Sequence, residues 1–164
     1  MFLSVVQNCE LKIENYTAIL IPMNIKIKLI DSTLPLPSYQ TTGSVAFDLY
    51  SRVDMEIESH KIALIPLNIT IKTPEGFAFL VVPRSSTPKK KGLLIPHGIG
   101  IIDQDYCGEN DEVMFQCYNF SDEVVKIEKG ERVAQGMFVR IEKGDFEVVE
   151  KIEAKTRGGF GSTG

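Results

Sequence analysis

NIKIKLI, residues 24–30, alternates without a break. Ile25, Ile27 and Leu29 fall on one face of an extended chain, and Asn24, Lys26 and Lys28 on the other. A period of two is the signature of a half-buried strand and cannot form the apolar stripe of a helix. LNITIKT (67–73) and VVKIEKG (124–130) repeat the pattern. FAFLVVP (77–83), EVMFQCYNF (112–120) and RVAQGMFVRI (132–141) are richer in β-branched and aromatic residues and more fully apolar, as strands buried on both faces are. FEVVEKI (146–152) closes the set. Turn signals separate these runs: TPEG (73–76), FSDE (120–123), EKGE (128–131) and EKGD (142–145). Short strands recurring with turns between them predict an all-β barrel or jelly roll. No stretch holds a helical period over about 11 residues. The spacing allows one short helix near Ser86 to Lys91, with a Ser cap and Pro88 in its first turn.

At 164 residues the chain is expected to be one domain with a sizeable core. Hydrophobic residues make up 43% and charged residues 24%, ordinary for a globular protein. The net charge of −4 supplies no drive toward nucleic acid or an anionic membrane. No run of 18 apolar residues offers a membrane span. The start, MFLSVVQNCELKIENY, lacks a basic region and meets Glu10 too early for a signal peptide. Cys9, Cys107 and Cys117 are odd in number and have no paired spacing, so reduced thiols and a cytoplasmic location are expected. Two His and no CxxC give no reason to expect zinc.

Three segments follow. Residues 1–22 read as an N-terminal extension before Met23, in which TAILIP (17–22) either adds a strand or stays loose. Residues 23–152 form the barrel. Residues 153–164 carry too little apolar surface to order themselves. They are either a solvated tail or a mobile arm that orders over a ligand.

Four stretches carry chemistry. VVPRSST (81–87) runs a strand into Arg84, Ser85 and Ser86. Such a strand end offers backbone N–H groups and a guanidinium fork to phosphate oxygens; equally, Arg84 can serve a structural ion pair. HGIGIIDQDYCGE (97–109) is an apolar run broken by Gly98 and Gly100 and followed by Asp103, Asp105 and Tyr106. Glycines in a strand mark a bulge or the close approach of a ligand. Asp103, at the end of the run, is expected to be partly desolvated, where it acts as a general base or closes a turn. GSVAFDLYS (43–51) sets Asp48 among apolar residues, where it needs a partner, often Arg. GERVAQG (130–136) similarly places Gln135 inside an apolar strand. KKK (89–91) reads as a solvated charge run, or as one that helps attract a polyanion.

Taken in order, these stretches resemble the five motifs of the trimeric dUTP nucleotidohydrolases, the dUTPases. GSVAFDLYS is similar to the first, PRSS to the second, GIIDQDYCG to the third, GERVAQ to the fourth and RGGFGSTG (157–164) to the fifth. The resemblance spans about Met23 to Gly164. It implies a β-clip, a distorted jelly-roll barrel with one short helix, assembled as a homotrimer with three sites at subunit interfaces. It implies Mg²⁺-dependent hydrolysis of dUTP to dUMP and pyrophosphate, which limits uracil incorporation into DNA and supplies dUMP for thymidylate synthesis. By the same resemblance Asp103 activates the water that attacks the α-phosphorus. Arg84, Ser85 and Ser86 hold phosphates from a neighbouring subunit. Residues 97–106, with His97, Gly100 and Ile102, form the hairpin that reads uracil, and Tyr106 packs on the deoxyribose. Asp48 meets the metal through water, and Gln135 acts through hydrogen bonds. The arm brings Phe160 onto the uracil and Arg157, Gly161, Ser162 and Thr163 to the phosphates. Base–aromatic stacking is worth roughly 1–3 kcal/mol, enough to help offset ordering of a short arm.

The sequence departs from the family pattern in places. Val45-Ala46 stands where Ala-Gly is usual, ENDEVMF (109–115) is longer than usual, His97 stands where many members have Asn, and Arg157 precedes GGFGSTG with two residues fewer than is common. Two rival functions remain. One is a dCTP deaminase, or bifunctional deaminase–dUTPase, of the same fold. That family relies on a Glu in the strand that follows the Asp, and aligning that strand on Asn119 puts Gln116 at the position. The other is a non-catalytic regulatory interaction module.

Overall fold

The computed structural model describes residues 11–13, 16–18, 23–156 and 158. Among them thirteen strands and one helix follow one another along the chain. The strands are β1 (Leu11–Ile13), β2 (Tyr16–Ala18), β3 (Lys26–Leu29), β4 (Phe47–Tyr50), β5 (Met55–Ile57), β6 (Ile62–Pro66), β7 (Ile69–Lys72) and β8 (Phe77–Pro83), then β9 (Leu93–Leu94), β10 (Gly100–Ile102), β11 (Met114–Asn119), β12 (Val125–Ile127) and β13 (Arg132–Arg140). The helix α1 (Thr87–Lys91) falls between β8 and β9. A four-stranded sheet runs β10-β8-β13-β4, and a three-stranded sheet runs β6-β11-β9. Ribbons β12-β5 and β3-β7 close the sides, and β1-β2 form a separate antiparallel pair. Every pairing is antiparallel, as expected of an all-β jelly roll.

The alternation of residues 24–30 is realised in β3. Lys26 and Lys28 are exposed, while Ile27 and Leu29 turn to the core. β7 differs from its expected pattern: Ile69, Thr70 and Ile71 are all buried. Its outer face is not open, because residues 107–109 lie beside it. TAILIP contributes only its first two residues to a described strand, β2.

The core is built on aromatic side chains from the central strands. Phe47 stacks on Phe79 at 5.9 Å between centroids, and Phe138 tilts against Phe79 at 5.2 Å. Their closeness depends on Gly136. A methyl carbon there would lie 2.7 Å from ring atoms of both Phe47 and Phe79. These rings sit in a packed interior and cannot withdraw freely. Gly136→Ala is therefore expected to destabilise the fold by about 1–3 kcal/mol, the usual cost of overpacking. A drop in the urea midpoint with unchanged slope checks this; an unchanged midpoint would contradict it. On β11, Phe115, Cys117 and Asn119 face inward, and burial pushes the Cys117 thiol up to about 11. The buried Asn119 amide is satisfied by the carbonyls of Ile57, Glu58 and Glu123, tying down the FSDE turn.

Two expectations are corrected. Residues 146–152 form no strand: Phe146 and Val148 are 99% exposed and no described segment of the chain pairs with them. A strand needs a ladder partner for its backbone groups, and no described strand pairs with this segment. The last described paired strand ends at Arg140. In α1, Ser86 occupies the N-cap position, but its hydroxyl makes no cap bond. Pro88 lies in the first turn as expected, and Gly92 ends the helix in a left-handed conformation at φ 63°.

Candidate active site

Asp48 is the most deeply buried carboxylate of the site, 1% exposed in β4. A charge so placed needs compensation. Arg84 donates its Nε to Oδ1 at 2.8 Å, and Arg132 donates Nη1 to Oδ2 at 3.1 Å. The sheet register explains the meeting. Gln135 of β13 lies directly between Asp48 of β4 and Val82 of β8, so all three share one face. Arg84, two residues beyond Val82, returns to that face. Arg84 thus does have the structural ion pair. It engages Asp48 through Nε alone among the described residues, which leaves both terminal nitrogens of the fork for another acceptor. Ser85 is exposed and Ser86 half-buried beside it, and neither hydroxyl bonds to another described residue.

The second element is the hairpin of residues 97–106. β10 pairs with β8, with Gly100 opposite Val81 and Ile102 opposite Phe79. Gly98 adopts φ 87°, and a Cβ on Gly100 would sit 3.1 Å from the Val81 carbonyl oxygen. A side chain at 98 would therefore be strained by the backbone conformation, and one at 100 would press on β8. A cleft of about 420 Å³ opens between this hairpin and β6 and β11. Its walls include His97, Gly100, Ile102, Met114 and Gln116, and none of its described lining residues is a carboxylate.

Asp103 and Tyr106 close one turn, the Tyr106 amide donating to the Asp103 carbonyl at 3.2 Å. Asp103 is exposed in the single chain, not partly desolvated as its place after an apolar run suggested. The run ends one residue before it, and the turn carries its carboxylate outward. Tyr106 donates its hydroxyl to the Glu112 carbonyl at 3.0 Å. Glu112 is in turn fixed by Arg52, which donates Nε and Nη2 to its two carboxylate oxygens, both at 2.8 Å, and by the backbone N–H of Asn68 at 2.9 Å. The added residues 109–112 thereby brace the turn that holds Tyr106. This brace escaped the sequence reading; the one available signal was a Glu closing a loop insertion, and its arginine lies 60 residues away.

The strand β8 separates the two halves of the site. Arg84 follows its last residue. Asp103 extends β10 past the Ile102–Phe79 pair, toward Ala78. Six residue steps at ~3.3 Å put them about 20 Å apart along the strand. One chain therefore brings together Asp48, Arg84 and Gln135 at one end, and Asp103 and Tyr106 at the other. Arg157, Phe160, Gly161, Ser162 and Thr163 lie outside the described residues.

The fold and site define a class: an all-β clip with a cleft large enough for a nucleobase and a separate arginine–serine turn suited to phosphate. A family model described as dUTPase matches residues 31–164. The deoxyuridine 5′-triphosphate nucleotidohydrolase of Francisella philomiragia subsp. philomiragia is 37% identical over 150 residues, 87% of this chain and 99% of that protein. That of Dictyoglomus turgidum is 38% identical over 148 residues, with the same coverage. The crystal structure of dUTPase from Streptococcus mutans superposes with a TM-score of 0.67 at 31% identity, covering 73% of this chain and 98% of that one. The chain belongs to the dUTPase family, whose members are dUTP diphosphatases.

Proposed function

We propose that this chain hydrolyses dUTP to dUMP and pyrophosphate, as a homotrimer whose sites are shared between subunits. The observation that carries the reading is the separation along β8. Asp103 lies past one end of the strand and the phosphate donors past the other, about 20 Å away by strand rise, with the base-sized cleft between them at Val81 and Gly100. One nucleotide cannot use both within a single chain. It can do so where Arg84, Ser85 and Ser86 of one subunit face the cleft of its neighbour. The uncovered apolar side chains of 146–152 fit the same arrangement, as the root of an arm that crosses to another subunit.

In this site the backbone of residues 97–102 reads the uracil edge, and the narrow approach at Gly100 excludes larger groups. Tyr106 stands beside the sugar, its hydroxyl held by the Glu112 carbonyl. Arg84, oriented by the buried Asp48, turns its terminal nitrogens to the phosphates, with Ser85 and Ser86 adding hydroxyl donors. Asp103 takes a proton from water, which attacks the α-phosphorus while pyrophosphate departs. The arm closes with Phe160 over the base and Arg157, Gly161, Ser162 and Thr163 toward the phosphates. Closure and neighbouring subunits supply the desolvation that Asp103 lacks in one chain.

Magnesium is proposed to arrive on the triphosphate. No group of three or more potential metal-ligating side chains gathers among the described residues, so no all-protein cage exists there. Each oxygen of Asp48 already accepts one bond from an arginine and keeps one further lone pair. That fits contact with an ion through its bound water and not direct ligation, a mode typical of magnesium. Bound magnesium neutralises charge that builds on the phosphate oxygens.

The deaminase alternative is disfavoured by Gln116. It lines the cleft where that family relies on Glu, and an amide cannot exchange protons as a carboxylate does. Among the described residues no helix is long and apolar enough to cross a membrane. A cytoplasmic protein with no nucleic-acid partner is the matching proposal. The test is release of pyrophosphate from dUTP, dCTP, dTTP and UTP, each with and without magnesium. Hydrolysis of dUTP at least about 100-fold faster than the others is expected from a site built around base hydrogen bonds. Ammonia release from dCTP, or equal rates on all four, would overturn the assignment.

A further inference from the structure

The outer face of the β3–β7 ribbon is unusual for its charge. Lys26 stands directly opposite Lys72, and Lys28 directly opposite Thr70, so all four side chains share one face. Like charges directly opposite one another destabilise a strand pair. Yet neither Lys26 nor Lys72 forms an ion pair or hydrogen bond among the described residues. Lys28 alone is compensated, by Glu109. These side chains frame a pocket of about 210 Å³ that residues 107–109 complete on the far side. Three ammonium groups against one carboxylate leave it with a net charge of +2.

A second feature of the same pocket points to a ligand. Thr70 lines it, is only 7% exposed, and its Oγ1 is buried with no hydrogen-bond partner among the described residues. A buried hydroxyl without a partner costs about 1–3 kcal/mol. A pocket with surplus positive charge suits an anion with several acceptor oxygens, and the unpartnered Thr70 hydroxyl in its wall is a donor that a side-chain rotation would turn toward it. The 83% exposed Glu109 side chain is free to swing aside as an oxyanion takes over Lys28.

We propose that this pocket binds a phosphate-class oxyanion, either free phosphate or pyrophosphate, at Lys26, Lys28, Lys72 and Thr70. The site is distinct from the arginine–serine turn. Its far wall, Cys107 to Glu109, continues directly from the turn that carries Asp103 and Tyr106. An ion there would therefore press on the chain segment leading out of the hydrolytic turn.

Cys107 provides a built-in reporter, since this free, half-buried cysteine lines the same pocket. The experiment is alkylation of the full-length protein by neutral iodoacetamide, followed at Cys107 by peptide mass spectrometry. Phosphate and pyrophosphate are titrated in separate arms, against sodium chloride of matched ionic strength. At ten times the dissociation constant, occupancy alone slows labelling by about tenfold. The arm that protects at lower concentration identifies the preferred source. In Lys26→Met/Lys72→Met, which alters only exposed side chains, the concentration needed is expected to rise by about tenfold. Equal labelling in phosphate and matched chloride would overturn the proposal. So would protection that survives undiminished in the double variant, because the ion would then be acting from the arginine–serine turn.

Discussion

Asp103→Asn is expected to lower turnover of dUTP by about 10²–10⁴-fold, the usual contribution of a positioned general base. The substitution keeps shape and volume and removes only the ability to accept a proton from water. Asp103 is exposed in the chain and makes no side-chain hydrogen bond to another described residue. Its replacement therefore leaves the barrel, the cleft and the Arg84–Asp48 pair untouched. Nucleotide binding and thermal stability should stay at the level of the unmodified protein. Rapid-quench measurement of the chemical step, beside calorimetric binding of a non-hydrolysable dUTP analogue, separates the two quantities. A variant that hydrolyses within a few-fold of the parent would remove Asp103 from the mechanism. One that binds nothing would make it a binding residue instead.

The second large effect is expected from removing residues 156–164. Among the described residues the barrel core draws no side chain from beyond β13, so the truncated chain should fold and assemble normally. What it loses is the proposed closure. Stacking of Phe160 on the base is worth roughly 1–3 kcal/mol, and charged hydrogen bonds from Arg157 to phosphate add roughly 1.5–3 kcal/mol. Together they predict a fall in kcat/KM of about 10²–10⁴-fold. Normal turnover by the truncated chain would show that the segment is a solvated tail. Phe160→Ala alone should reproduce the smaller, base-dependent share and leave the phosphate contribution in place.

Part of this architecture is written locally, and that part is legible. The alternation in 24–30 requires only nearest neighbours, and β3 forms as the pattern dictates. The apolar run of 77–83 becomes the central β8 for the same reason. Strands β5, β6 and β9 escaped notice because their pairing is imposed from elsewhere in the chain. β9 has two residues and exists only by pairing with β11, and β6 exposes Ile62 and Leu64, so its apolar run marks no single buried face. FEVVEKI reads as a strand and is not one here, since strand propensity has no outlet without a partner ladder.

The site divides in the same way. A lone Asp among apolar residues must be paired, and the need of Asp48 for an arginine is met by Arg84. That Arg132 supplies a second bond depends on the irregular register between β13 and β4, where pairing shifts between Arg132 and Ala134. No linear pattern signals such a shift. The Arg52–Glu112–Asn68 brace is likewise a product of folding, joining residues far apart in sequence. The identity of the motifs was readable; the distance between Asp103 and Arg84 was not, because it follows from β8 lying between them.

The most direct test is a structure of the assembled protein with magnesium and α,β-imido-dUTP. The Asp103 carboxylate should lie about 2.6–3.2 Å from an ordered water. That water should stand in line with the α-phosphorus, and the phosphates should meet Arg84 of a neighbouring subunit. An Asp103 side chain directed away from the nucleotide, with no water between it and the α-phosphorus, would contradict the account.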